Sequence, residues 1–272
     1  YAVTFVENHD TEYRSASSPQ DPIKKDTLAA NAYLLAMPGT PCVFLKHWMD
    51  YKDDIGAMIA ARKAAGITNM SNYVKKQINQ NYYAVVVNGN LYAAMGKTDM
   101  MTAPGNGWTK VLDGYHYAYY LANTLETAFA DKASGIRNGA FKVRLYAVTD
   151  DAAAKVVYTT DGTDPTAQST AVASGTEITV SADCTLKVGI LSAGKVKGIV
   201  SRDYVIKVVE EVPDVFDTPA PGYTFHAYFV APTTWKKDIL CWAWTSTQNY
   251  TGGTWPGTKC YKIRKNGNNE PA

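Results

Sequence analysis

Little in this chain is extreme, and each shortage removes a class of protein. Four cysteines in 272 residues are too few for a disulfide-built scaffold. A net charge of +2 gives no argument for nucleic acid or an anionic membrane surface as partner. Long hydrophobic runs are missing too. The longest, near Leu28–Leu45, is cut by Pro38 and Pro41 and cannot span a bilayer. The chain does not open on Met but directly on a strand-like run, so any export signal lies outside these residues and the sequence reads as a piece of something longer. What it does have is length enough for two or more domains with real cores.

The organising stretch is YAVTFVENHDT, residues 1–11. Tyr1 to Val6 are apolar, β-branched or aromatic, as a strand buried on both faces requires. Glu7, Asn8, His9 and Asp10 then crowd its carboxyl end. Such residues commonly follow strands as turn formers or helix caps. In a parallel barrel, however, strand ends are where chemistry is built. The next sixty residues favour the second reading. Leu28–Met37 has Leu28, Ala32, Leu35 and Ala36 on one helical side and stops at Pro38-Gly39. Pro41–Leu45 is a second short apolar strand, in which Cys42 is expected to pack as a core thiol. Asp53–Gly66 is a second helix, with acids in its first turn and Ile55, Met58, Ile59 and Arg62 at helical spacing. Strand, helix, strand, helix predicts parallel pairing.

FVENHDT, LAANAYLLAMPGTPCVFLKHW and DDIGAMIAARKAAGI together resemble the last two strand–helix units of an α-amylase barrel, glycoside hydrolase family 13. The likeness covers about residues 1–67. Two departures stand out: Glu7 where Asp is common, and Lys46 after the second strand. The resemblance implies that Asp10 is the carboxylate that stabilises the transition state, with His9 and Asn8 binding the same sugar. A fixed negative charge beside a developing oxocarbenium lowers the barrier electrostatically. The nucleophile and general acid of a retaining glycosidase come, in that family, from earlier barrel strands, so this chain alone is expected to be inactive. Asp50, Asp53 and Asp54 are read as helix-start acids and no substitute for that pair. A metal shared by His9 and Asp10 is disfavoured, because neighbours on a strand point to opposite faces. No cofactor is assigned; the calcium of the resembled enzymes belongs largely to a preceding part of their fold.

Residues 68–125 change period. Tyr82–Val87 and Asn90–Met95 flank Asn88-Gly89, a type I′ hairpin signal. Trp108–Leu112 and Tyr115–Leu121 repeat the arrangement across Asp113-Gly114. An antiparallel β domain is expected, its aromatics packed in a core. Residues 126–209 carry short alternating runs at Phe141–Val148, Lys155–Thr160, Glu177–Val180, Thr185–Leu191 and Tyr204–Val208, which read as an immunoglobulin-like sandwich with Cys184 packed inside. YTTDGTDPT, Tyr158–Thr166, is similar to the signature of chitobiase-type C-terminal domains.

Residues 210–222 (EEVPDVFDTPAPG) read as a linker. The last module, residues 223–272, holds four of the six tryptophans. Strand alternation puts Trp242 and Trp244 on one face and Cys241 and Ala243 on the other. Flat indoles stack on the C–H faces of glucose rings. The run from Tyr228 to Ile263 resembles family 26 starch-binding modules, which implies that Trp242, Trp244 and Trp255 grip α-glucan, with Trp235 packing or marking a turn. A Cys241–Cys260 bridge is left open.

The expected architecture is therefore multidomain: the C-terminal strand–helix units of a TIM barrel, then all-β domains ending in a β-sandwich carbohydrate-binding module. Expected partners are starch, maltooligosaccharides and the missing first part of the barrel, in a secreted or cell-surface bacterial protein. The rival classes are a non-catalytic glucan-binding protein and a surface adhesin.

Overall fold

A computed structural model describes residues 3–12, 22–207, 239–250, 255 and 257–259. Most of it is β-sheet with few helices. The chain divides into two compact units, residues 1–206 and 207–272.

The first unit begins with β1 (Val3–Thr4), α1 (Thr27–Ala36), β2 (Thr40–Pro41), α2 (Leu45–Asp50) and α3 (Lys52–Ala64). β1 and β2 pair in parallel, Val3 opposite Thr40 and Thr4 opposite Pro41. Gly39 lies at φ +134°, and a Cβ there would stand 2.9 Å from Thr4 Cγ2, so only glycine lets the chain pass so close to β1. The second strand is shorter than the sequence predicts. β1 offers two paired residues, Cys42 N–H adds one more bond to Thr4 O at 2.8 Å, and by Leu45 the chain has turned into α2. Cys42 is exposed, not packed in a core, because it follows the last paired residue.

α1 is built from Ala and Leu, good helix formers, and stops at Met37, which is extended before Pro38. α3 carries Asp53 and Asp54 in its first turn and Arg62 and Lys63 in its last, both favoured by the helix dipole. None of these acids makes a side-chain cap. Asp50 pairs with Lys46 at 2.8 Å, Asp53 with Arg137 at 3.4 Å, and Asp54 Oδ1 accepts Tyr117 O–H at 3.1 Å.

The two longer helices cover one face of a five-stranded sheet. Its strands are β3 (Tyr73–Ile78), β4 (Tyr82–Val87), β5 (Leu91–Gly96), β6 (Trp108–Gly114) and β7 (Tyr117–Ala122), in the order β3-β4-β5-β7-β6. Ala32, Leu35, Ile55, Met58 and Ala61 pack on Val85, Val87, Leu91, Tyr117 and Tyr119. The opposite face buries Ala84, Tyr92, Ala94 and Ala118 under Met101 and Trp108. Asn88 and Gly89 have φ +53° and +68°, the left-handed pair of a type I′ turn. The second hairpin differs from expectation. Asp113 and Gly114 belong to β6, and the turn is Tyr115-His116, with His116 at φ +62°. A bulge between Lys110 and Leu112 shifts the register, and the ring of Tyr117 fills the space where a Gly114 Cβ would lie. His116 Nδ1 pairs with the Asp26 carboxylate at the start of α1.

A two-sheet sandwich follows. β8 (Thr127–Ala130), β10 (Phe141–Val148) and β13 (Thr176–Val180) form one sheet. β9 (Gly135–Arg137), β11 (Lys155–Thr159), β12 (Thr170–Val172), β14 (Cys184–Ser192) and β15 (Lys195–Ile206) form the other, in the order β12-β11-β14-β15-β9. Val143, Leu145, Val156, Leu186, Val188, Ile190 and Tyr204 interdigitate between them. Cys184 is half-buried against this core, and that burial raises its thiol pKa.

In the second unit, β16 (Leu240–Cys241) pairs antiparallel with β17 (Thr258–Lys259). The expected linker 210–222, Trp235 and Cys260 lie outside the described residues, and with Cys260 the bridge that the sequence leaves open.

Candidate functional site

Asn8 shapes the turn that follows the first strand. Its Oδ1 accepts the N–H of Asp10 at 2.9 Å and of Thr11 at 3.2 Å, and its backbone O accepts the N–H of Thr11 and Glu12 at 3.1 Å each. This is an Asx-type turn, a local competitor of regular structure. It holds His9 and Asp10 at the tip, with side chains 76% and 69% exposed and His9 Nε2 3.4 Å from Asp10 Oδ1. The two therefore sit in one turn with their polar ends together. The opposite-face argument against a shared ion does not apply, since residues 9 and 10 are not in a strand. Among the described residues, no group of three His, Cys, Asp or Glu side chains is placed to hold a metal.

Sequence reasoning missed what lies directly beneath. Glu7 is 6% exposed and His47 3% exposed, with His47 Nε2 2.6 Å from Glu7 Oε2. Glu7 Oε1 accepts the N–H of Ile23 at 2.8 Å. Asn31 Nδ2 donates to Thr27 O at 2.8 Å and lies 3.1 Å from His47 Nδ1. Buried ionisable groups persist only when paired. An acid closing an apolar strand and a lone His forty residues later were the only signals.

In the second unit, the indoles of Trp242 and Trp244 are 6.4 Å apart and those of Trp242 and Trp255 6.2 Å apart. Trp244 is 63% and Trp255 75% exposed, while Trp242 is half-buried between them. The strand ends at Cys241, which is exposed, so alternation along a strand is not what gathers the rings. Trp244 instead bridges to Asn249, forming a tight loop.

A groove of about 640 Å³ on the sandwich is lined by Asp131, Phe141, Lys142, Arg144 and Glu177 among others. Its acids are spent on neighbours: Asp131 accepts Arg144 N–H at 2.7 Å, and Glu177 pairs with Lys142 at 2.7 Å.

The fold and these sites define a β-rich chain with an exposed His–Asp turn, a sandwich and an indole cluster. Residues 132–201 match the chitobiase/beta-hexosaminidase C-terminal domain family. Over 123 residues, 44% of its length, the chain is 31% identical to probable alpha-amylase 2 of Arabidopsis thaliana, of which it covers 29%. It is 29% identical over 123 residues to the alpha-amylase type B isozyme of Hordeum vulgare, 78% of which is covered. It is also 41% identical over 75 residues to a glucan 1,4-alpha-maltotetraohydrolase of Stutzerimonas stutzeri, covering 13% of that protein. The chain thus spans well under two thirds of the Arabidopsis relative. Its similarity is to α-amylases, which are glycoside hydrolases. No helix among the described residues is long and apolar enough to cross a membrane.

Proposed function

We propose that the chain is the C-terminal part of a secreted or cell-surface bacterial α-amylase that hydrolyses internal α-1,4 bonds of starch-like glucans with retention. The carrying observation is the outward His9–Asp10 turn, which follows a strand paired in parallel with its successor. In this reading residues 1–67 complete a barrel and residues 68–125 form the β domain beside it. Residues 126–209 form an immunoglobulin-like spacer, and residues 223–272, after the 210–222 linker, form a starch-binding module.

Asp10 stabilises the oxocarbenium-like centre electrostatically. His9 hydrogen-bonds the same sugar. Asn8 contributes by forming the turn, since its side-chain oxygen is committed to backbone donors. The nucleophile and general acid have no match among these 272 residues, so the chain alone binds glucan without cleaving it. Trp242, Trp244 and Trp255 supply that binding. Three gathered indoles, two of them largely exposed, are a costly apolar surface for a small unit to leave in water unless a ligand covers it.

Affinity electrophoresis in amylopectin tests the reading. The chain is expected to be retarded, and Trp242→Ala and Trp255→Ala to migrate freely. Equal retardation of all three removes the indole site, and reducing-sugar release from starch by the purified chain removes the claim of inactivity.

A further inference from the structure

The buried polar chain under the His9–Asp10 tip has a definite direction. Asn31 Nδ2 carries two hydrogens, and one goes to Thr27 O at 2.8 Å. A flipped amide would set Oδ1 against that carbonyl, two acceptors face to face, so the backbone fixes the orientation. The second hydrogen then points at His47 Nδ1, 3.1 Å away, which must be the acceptor. Nε2 therefore carries the imidazole proton and donates to Glu7 Oε2 at 2.6 Å. Glu7 accepts at both oxygens, from His47 and from the Ile23 N–H at 2.8 Å.

The topology gives this carboxylate a specific task. Ile23 is sixteen residues from Glu7 in sequence, so one side chain bonds two well-separated positions of the chain. The same side chain reaches α2 through His47 and, through Asn31, α1. The bonds that form the Asx turn run among Asn8, Asp10, Thr11 and Glu12. Glu7, the residue before the turn, ties its base to Ile23 and to α2.

We infer that Glu7 and His47 are positioning residues that hold the His9–Asp10 tip in register, with His47 acting as a neutral Nε2–H donor fixed by Asn31. This rests on the reading of that tip as the sugar-binding turn. The pair touches no substrate. Its contribution is to keep the Asp10 carboxylate where a developing charge would form, and small misplacements of such groups are expensive in rate.

Hydrogen exchange on the 272-residue chain tests the positioning directly. Thr11 and Glu12, whose N–H groups bond to Asn8 O, report the turn, while Val85 and Ala93, in the central sheet, report the whole unit. In Glu7→Gln and His47→Ala the first pair is expected to exchange about tenfold faster with the second unchanged. His47→Gln, whose amide can place an N–H near the Nε2 position, is expected to restore slow exchange. Unchanged protection of Thr11 and Glu12, equal acceleration of all four amides, or no rescue by His47→Gln would each overturn the inference. If a variant fails to fold, the unsubstituted chain still decides. Its imidazole nitrogen spectrum at neutral pH should show His47 protonated at Nε2 only, and an Nδ1–H or doubly protonated ring would sink it. In the longer enzyme of the proposed reading, Glu7→Gln should lower kcat by about tenfold or more with little change in KM. A parent that does not cleave starch defeats that reading and leaves the exchange result standing.

Discussion

At the scale of single residues, the buried cation of α3 shows how a polar group earns a place in an apolar stripe. Arg62 falls at helical spacing with Ile55, Met58 and Ile59, which from sequence alone looks like a flaw in the pattern. In the fold its guanidinium donates to Leu35 O at 2.8 Å, Met37 O at 2.7 Å and Gly39 O at 2.9 Å. The last carbonyls of a helix have no partner of their own, and here the neighbouring helix supplies one rigid fork for the end of α1 and the turn after it. Burial lowers the Arg62 pKa, yet a guanidinium stays charged far above neutrality. Arg62→Met should therefore cost roughly 2–4 kcal/mol, from stranded carbonyls rather than lost apolar contact. Arg62→Lys should recover only part, since an ammonium cannot span three carbonyls in one plane. Chemical denaturation of both variants measures it, and equal stability of Met and Arg would show that the carbonyls find other donors. Glu7 is the parallel case: its identity departs from the resembled pattern, and only the fold shows it taken up by His47 and Ile23.

At the scale of elements, what was legible depended on whether the decisive chemistry was local. Asn88-Gly89 announces its hairpin because both residues must be left-handed and both types tolerate it. Asn88 does a second thing that no turn rule contains: its Nδ2 donates to Ala65 O at 2.9 Å and Gly66 O at 3.1 Å, closing the end of α3. Asn88→Gly should keep the turn and lose those bonds, at a cost of about 1 kcal/mol. Asn88→Ala loses both and should cost about 2 kcal/mol. The reverse order in thermal unfolding would contradict this division. Asp113-Gly114 misleads for the opposite reason, because its register is set by Tyr117 burying itself beneath Gly114 and by Asp26 meeting His116 across the fold. Gly114→Ala is accordingly expected to destabilise by about 1–3 kcal/mol through a clash with that ring, while Asp113→Asn, exposed in the same strand, should change little. β3, β9 and β12 were invisible because edge strands bury little. Tyr73–Ile78 is exposed at nearly every position, and Gly135–Arg137 is only three residues long. α2 was hidden by the apolar run PCVFL, whose length suggested a strand but whose partner offers two residues. The His9–Asp10 turn was legible as a motif, but its support was not, since forty residues of chain separate Glu7 from His47.

At the scale of the whole molecule, charge pairing in the sandwich sets the response to acid. Glu126 is lowered by its bond with Lys197, Glu177 by its bond with Lys142, Asp151 by Ser192 and Asp161 by Thr163. Each binds its proton more weakly folded than unfolded. Their contribution is thus fully present above ordinary carboxylate values and is lost as pH falls through the lowered ones, from about pH 4.5 downward. Asp131 opposes them. Burial raises its pKa, so the folded chain takes up that proton more readily than the unfolded one, and acidification stabilises through this group. Asp131→Asn keeps an oxygen for the Arg144 N–H, bonded at 2.7 Å, but removes both the half-buried charge and the compensating proton uptake. The variant should be more stable than the parent chain at pH 7. Its advantage should shrink steadily toward about pH 3, so that its melting temperature falls more steeply with acid. Thermal unfolding at several pH values reads this as a difference in slope. Parallel curves would mean that the Asp131 carboxyl is solvated as well in the fold as in the open chain, and that the groove it lines is wetter than its neighbours suggest.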